Sequence, residues 1–158
     1  MRILLCGMGN EERGDDGFGP YIVKSIQETE TIKTINCHLY LENYLNKIIS
    51  FNPDMIILFD TVKKNHDKTI FLRNDEILTH SPISASTHSL PFSAIYQFLK
   101  KRDKPEIWFI GVRPNSYEHF SDETMTIAQR VTEVFNLLDK EKNLTIMKLY
   151  ENLSTALK

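Results

Sequence analysis

The chain begins with a short apolar run, Ile3 to Cys6, that leads directly into a loop with five glycines between residues 7 and 19. Four consecutive apolar residues are typical of a strand buried on both faces of a parallel sheet. Apolar residues then recur at helical spacing at Phe18, Ile22 and Ile26. The start of the chain therefore predicts a strand, a tight loop and a helix packed back on the strand.

The rest of the chain continues this alternation of short apolar runs and amphipathic segments. Further strands are predicted at 34–40, 55–59, 69–73 and 107–110, and helices at 45–49, after Pro91, after Ser121 and from Leu144 onward. We expect strand 69–73 at an edge of the sheet, and a polar loop at 79–89. The pattern predicts one layered α/β domain over residues 1–158, with a largely parallel sheet.

Composition excludes several classes of function. The 158 residues are 41% hydrophobic and 25% charged, with a net charge of −2, which disfavours a nucleic-acid or anionic-membrane surface. No apolar stretch is long enough to span a bilayer, and the first one is too short for a signal peptide. Cys6 and Cys37 lie in apolar runs and are expected to be buried, reduced thiols. We expect a cytoplasmic monomer.

Two adjacent carboxylates make the glycine-rich loop unusual. Glycine loops that open a helix often bind phosphate, but Asp15 and Asp16 would repel it. The loop suits a cation better, and we expect one of the two acids to cap the following helix while the other is functional. A further acid, Asp60, ends the apolar run 55–59, where it either caps a turn or contributes to a site.

These acids are expected to meet at the edge of the sheet. If the strand order is flavodoxin-like, the first and third strands are neighbours at the topological switch point, and Asp16 faces Asp60. His88 lies in a loop expected over the same edge; a loop histidine alone is usually solvated, but one imidazole with two carboxylates can hold nickel or zinc. His38, His66, His80 and His119 are weaker candidates.

Together these residues resemble the nickel-iron hydrogenase maturation protease family. The matching segments are Gly7-x-Gly9-Asn10, Asp15-Asp16-Gly17-x-Gly19, the acid Asp60, the loop 86–91 and Gly111-Val112-Arg113-Pro114. The resemblance implies a twisted five-stranded sheet with helices on both faces, in a three-layer α/β/α arrangement. The fold prediction allows one edge strand to be antiparallel.

The resemblance also implies a function. Asp16, Asp60 and His88 would be the catalytic and metal-binding residues, and the loop residues Gly9, Asn10, Asp15 and Gly17 would adjoin the substrate. The implied reaction removes a C-terminal extension from the precursor of a hydrogenase large subunit after nickel insertion. The nickel would arrive with that substrate.

Two positions depart from the family pattern. Asn36 stands where relatives tend to carry an acid after the second strand, and Arg113 replaces a more usual neutral glutamine. The missing acid leaves open a non-catalytic module that binds the precursor. The same three residues are also compatible with a hydrolase that keeps its own zinc, and a nucleotide-binding flavodoxin-like domain is a further alternative that Asp15 and Asp16 disfavour.

Overall fold

The computed structural model describes residues 1–63, 65–80, 82, 90–101, 105–138 and 143–158. The strands are β1 (Ile3–Met8), β2 (Ile32–His38), β3 (Met55–Thr61), β4 (Thr69–Arg73) and β5 (Glu106–Val112). The helices are α1 (Phe18–Ser25), α2 (Leu45–Phe51), α3 (Asp75–His80), α4 (Phe92–Lys100), α5 (Asp122–Leu138) and α6 (Ile146–Ala156). Short 3-10 turns, Gly14–Gly17 and Leu41–Tyr44, precede α1 and α2.

The five strands form one sheet in the order β2-β1-β3-β5-β4. All neighbouring pairs are parallel except β4 and β5, which are antiparallel. The predicted α/β fold and the antiparallel edge strand are thereby confirmed. The chain passes from β1 to β2 on one side of β1 and then to β3 on the other side, so the strand order reverses between β1 and β3. Such a topological switch point is where α/β folds bind ligands.

Helices cover both faces of the sheet. Met55, Ile57 and Phe59 of β3 pack in the core with α1, α5 and α6, whereas Ile56 and Leu58 pack in the core with α2, α3 and α4. Burial on both faces explains why β3 reads as a continuous apolar run. Among the described residues, no helix is both long and apolar enough to cross a membrane.

The structure differs from the sequence-based expectation at three elements, of which β2 is the simplest: it spans Ile32–His38 instead of 34–40. The polar loop expected from residue 79 begins inside helix α3. This helix has a single buried residue, Ile77, so the sequence shows no apolar periodicity that would predict it. Strand β5 continues through Gly111 to Val112 instead of stopping before the glycine. The remainder of the expected loop, including His88, lies outside the described residues apart from Pro82.

Candidate active site

The glycines of the first loop allow α1 to lie directly on the sheet. A Cβ on Gly7 would come within 2.3 Å of the Gly19 carbonyl oxygen, and a Cβ on Gly19 within 2.4 Å of the Phe59 carbonyl oxygen. Gly9 has a φ of +132° and packs against the backbone of Asp16. The glycines therefore bring the residues after β1 against the end of β3.

Asp16 links these two segments through its side chain. Its Oδ2 accepts a hydrogen bond from the backbone N–H of Asn10 at 2.8 Å, and its Oδ1 accepts one from the Thr61 hydroxyl at 2.9 Å. The side chain is partly buried. Asp16 is thus held at the end of β3 by Thr61, the residue that directly follows Asp60.

Asp60 lies at the carboxyl end of β3 and is also partly buried. Its Oδ1 accepts a hydrogen bond from the N–H of Thr61 at 2.8 Å, and no other hydrogen bond from the described part of the chain reaches the carboxylate. Burial and then the negative charge of Asp16 raise the pKa of Asp60 well above its usual value, although the Thr61 N–H opposes this. Two carboxylates so placed favour a proton or a cation between them.

Asp15 has a structural role. Its buried carboxylate accepts hydrogen bonds from the N–H of Asn115 and Ser116 at 2.7 and 3.3 Å, and from the N–H and hydroxyl of Ser121 at 2.7 and 2.8 Å. Burial alone would raise its pKa, but these hydrogen bonds outweigh burial and lower it. The expectation that an aspartate caps α1 is wrong, because Gly17 is the N-cap and no side chain caps the helix.

The segment 115–117, which the Asp15 carboxylate binds, also lies beside the first loop. Gly14, with a φ of +54°, is so close to this segment that a Cβ would lie 2.6 Å from the Ser116 carbonyl oxygen. Arg13 stacks on the ring of Tyr117, with its guanidinium carbon 5.0 Å from the ring centroid. Sequence patterns could not indicate this pair, because its members lie about a hundred residues apart.

The remaining candidate residues fall into two groups. Asn10 and Gly17 adjoin Asp16, and the Asn10 side chain accepts a hydrogen bond from the N–H of Glu12 at 2.9 Å; their contact with the substrate stays a prediction. His88 lies outside the described residues, and the described part of the chain holds no group of three His, Cys, Asp or Glu side chains that could bind a metal. Its role therefore stays a prediction.

The two positions that depart from the family pattern make local contacts. The Asn36 side chain accepts a hydrogen bond from the N–H of His38 at 3.2 Å, within the end of β2. The guanidinium of Arg113 donates to the His66 carbonyl oxygen at 3.1 Å, which ties the connection before β4 to the end of β5. Arg113 thus has a structural contact whatever its effect on specificity.

The two cysteines are buried and free. A hydrogen bond with the Cys37 thiol and then burial raise the pKa of Cys6 well above its usual value. A raised pKa keeps a thiol protonated and a poor nucleophile. The cysteines therefore belong to the core.

Comparisons with known proteins identify the family. No family model matches the chain. A Methanocaldococcus jannaschii protein, provisionally named a hydrogenase maturation protease, is 31% identical over 125 residues that cover 72% of each chain.

Solved structures support the same relationship. The NiFe hydrogenase maturation protease HycI from Thermococcus kodakarensis is 29% identical with a TM-score of 0.74, covering 89% of this chain and 93% of that one. The hydrogenase maturating endopeptidase HybD from E. coli is 18% identical with a TM-score of 0.67, over 89% and 94% of the two chains, and shares the fold. The chain described here belongs to the hydrogenase maturation protease family.

Proposed function

We propose that this protein is an endopeptidase that removes the C-terminal extension of a nickel-iron hydrogenase large-subunit precursor after nickel has been inserted. Family membership supports the reaction class. The observation that carries the proposal is the position of Asp16 and Asp60 together at the switch point between β1 and β3. In the proposal the nickel is part of the substrate.

The chemistry of the acid pair suits inspection of a bound metal. Each oxygen of Asp16 accepts one hydrogen bond and keeps a further lone pair, and Asp60 Oδ2 accepts none from the described residues. Carboxylates hold nickel less firmly than thiolates do, so a site without cysteine can contact nickel without removing it from a cysteine-rich centre.

His88 completes the proposed ligand set. A neutral imidazole nitrogen is a good nickel ligand, and one nitrogen with two carboxylates leaves coordination positions open for the substrate. The proposal for His88 depends on its position in the sequence, between α3 and α4, and on the family resemblance.

Asp60 is the proposed general base. In the proposal, the Asp60 oxygen that does not contact nickel takes a proton from the attacking water; burial, which raises the pKa of this carboxyl in the metal-free chain, favours that proton uptake. Asp16 is held beside Asp60 by the hydrogen bonds from Asn10 and Thr61, and it contributes to the raised pKa of Asp60. The substrate's nickel would polarise the scissile carbonyl or the water.

The test is cleavage of nickel-loaded precursor by isosteric variants, followed by intact mass. We expect Asp60→Asn, Asp16→Asn and His88→Ala to lose at least about a hundredfold in rate, as removal of acid–base groups usually does. Asp54→Asn is the matched control, because Asp54 is exposed and lies before the opposite end of β3. Wild-type cleavage by Asp60→Asn would contradict the proposed role of the acid pair.

The same preparation separates this proposal from its alternatives. Stoichiometric zinc in the purified protein would favour a hydrolase with its own metal. Binding of the nickel-loaded precursor without any loss of mass would favour a non-catalytic module. We expect neither result.

A further inference from the structure

Arg13 and Tyr117 form an exposed pair beside the acid pair. The guanidinium carbon of Arg13 lies 5.0 Å from the centre of the Tyr117 ring, within the range of a cation–π contact. Tyr117 is 43% exposed, and Arg13 is exposed. No hydrogen bond joins the Arg13 guanidinium or the Tyr117 hydroxyl to another described residue. Within the described part of the chain, both groups therefore keep their donors available.

The fold holds this pair against the site. Asp15 binds the backbone N–H groups of Asn115 and Ser116, so the segment that carries Tyr117 is tied to the residue preceding Asp16. The carbonyl carbon of Tyr117 lies so near Gly14 that a Cβ there would approach it to 2.8 Å. Arg13, from the first loop, and Tyr117, from the segment after β5, thus lie together beside the acid pair.

The pKa of the Tyr117 phenol is raised, which keeps the phenol protonated. Partial burial and then the charge of Asp16 raise the pKa of Tyr117; Asp60 adds to this effect, and Arg13 opposes it. A protonated phenol is a hydrogen-bond donor at neutral pH.

A peptidase site needs such donors. Ionised Asp16 and Asp60 can only accept hydrogen bonds, whereas a bound peptide presents carbonyl oxygens that also accept them. A guanidinium offers five N–H groups in a rigid plane, and stacking on a ring holds that plane in one orientation. Arg13 and Tyr117 supply donors next to two groups that cannot donate.

We propose that Arg13 and Tyr117 are substrate-binding residues that donate hydrogen bonds to main-chain carbonyl oxygens of an extended peptide segment next to the bond to be cut. This inference rests on the proposed endopeptidase function. The pair binds the segment equally in the ground state and the transition state, so its loss raises KM and leaves kcat unchanged.

The test is steady-state cleavage of nickel-loaded large-subunit precursor by the full-length protein. We expect Arg13→Ala and Tyr117→Phe each to raise KM about tenfold with kcat within about twofold, since a hydrogen bond involving a charged or well-placed donor contributes about a tenfold factor. Arg13→Lys should fall between wild type and Arg13→Ala, because lysine keeps the charge but loses the planar stack.

A second stacked pair provides the matched control. Tyr150 of α6 lies under Arg73, with 4.4 Å between the guanidinium carbon and the ring centroid, and packs against Phe71. Tyr150→Phe removes the same hydroxyl from an arginine-stacked ring in a different part of the fold. We expect it to have wild-type KM and kcat.

Two different failures can be distinguished. If wild type cleaves the precursor while Arg13→Ala and Tyr117→Phe keep its KM, or lose kcat at unchanged KM, this inference is overturned and the proposed function stands. If wild type cleaves no nickel-loaded precursor, the proposed function is overturned and the inference with it.

Discussion

Replacement of Asp15 by asparagine should destabilise the protein without removing either acid of the proposed site. An asparagine keeps one acceptor oxygen and places an NH2 group at the position of the other. If the NH2 group replaces Oδ1, the hydrogen bond from the Ser121 N–H is lost. If it replaces Oδ2, the hydrogen bonds from the Asn115 N–H and the Ser121 hydroxyl are lost. A hydrogen bond to a charged group contributes about 1.5–3 kcal/mol. We therefore expect Asp15→Asn to cost about 2–4 kcal/mol and to lower Tm by about 5–15 °C.

Urea unfolding followed by the fluorescence of the single, fully buried Trp108 measures this change. Asp122→Asn is the control, since Asp122 is exposed in the first turn of α5 and its loss should cost less than about 1 kcal/mol. An Asp15→Asn protein within about 0.5 kcal/mol of wild type would refute the structural role of this carboxylate.

The contribution of Asp15 should also depend on pH. Because its pKa is lower in the folded chain than its ordinary value of 3.8, its stabilisation is fully present above that value and is lost as the pH falls through the folded pKa. The difference in unfolding free energy between wild type and Asp15→Asn should be constant near neutrality and shrink in acid. A difference that grows in acid would contradict the assigned hydrogen bonds.

Three further substitutions test packing and charge. Asp60→Asn should raise Tm by about 2–4 °C at pH 7 in thermal unfolding while abolishing cleavage, because burial and the charge of Asp16 destabilise the ionised carboxyl; a lower Tm would contradict this. Gly19→Ala should lower the free energy of unfolding in urea by about 3 kcal/mol or more, because the added Cβ would overlap a carbonyl oxygen of β3. Gly17→Ala is the control and should be tolerated, because its Cβ would have no atom nearer than 3.5 Å. Equal losses for the two variants would refute the packing argument. Ile57→Asp should leave no cooperative unfolding transition, because β3 is central and buried, and a folded variant would oppose that assignment.

The sequence predicted the fold well where local patterns and burial agree. The apolar run 55–59 predicted the buried strand β3, and the run 3–6 followed by the glycine loop predicted the first strand, a loop and a helix. The more exposed pattern of β4 placed it correctly at the edge. Helix α3 was missed because a single buried residue, Ile77, produces no helical periodicity.

The site was only partly predictable, because its details depend on contacts between distant residues. The proximity of Asp16 and Asp60 followed from strand order, which a motif can suggest. The role of Asp15 could not be inferred, since its partners Asn115 and Ser121 lie about a hundred residues away and carry no signal linking them to the first loop. The adjacent acids look alike in sequence and differ only in what surrounds them.

The most direct measurement of the proposed function is the nickel dependence of cleavage by the wild-type protein. Matched samples of the large-subunit precursor, one loaded with nickel and one without, are incubated with the enzyme and analysed by intact mass. We predict loss of the C-terminal extension from the nickel-loaded precursor only, with nickel kept in the product. Equal cleavage of the nickel-free precursor would contradict the proposal that Asp16 and Asp60 contact the metal carried by the substrate.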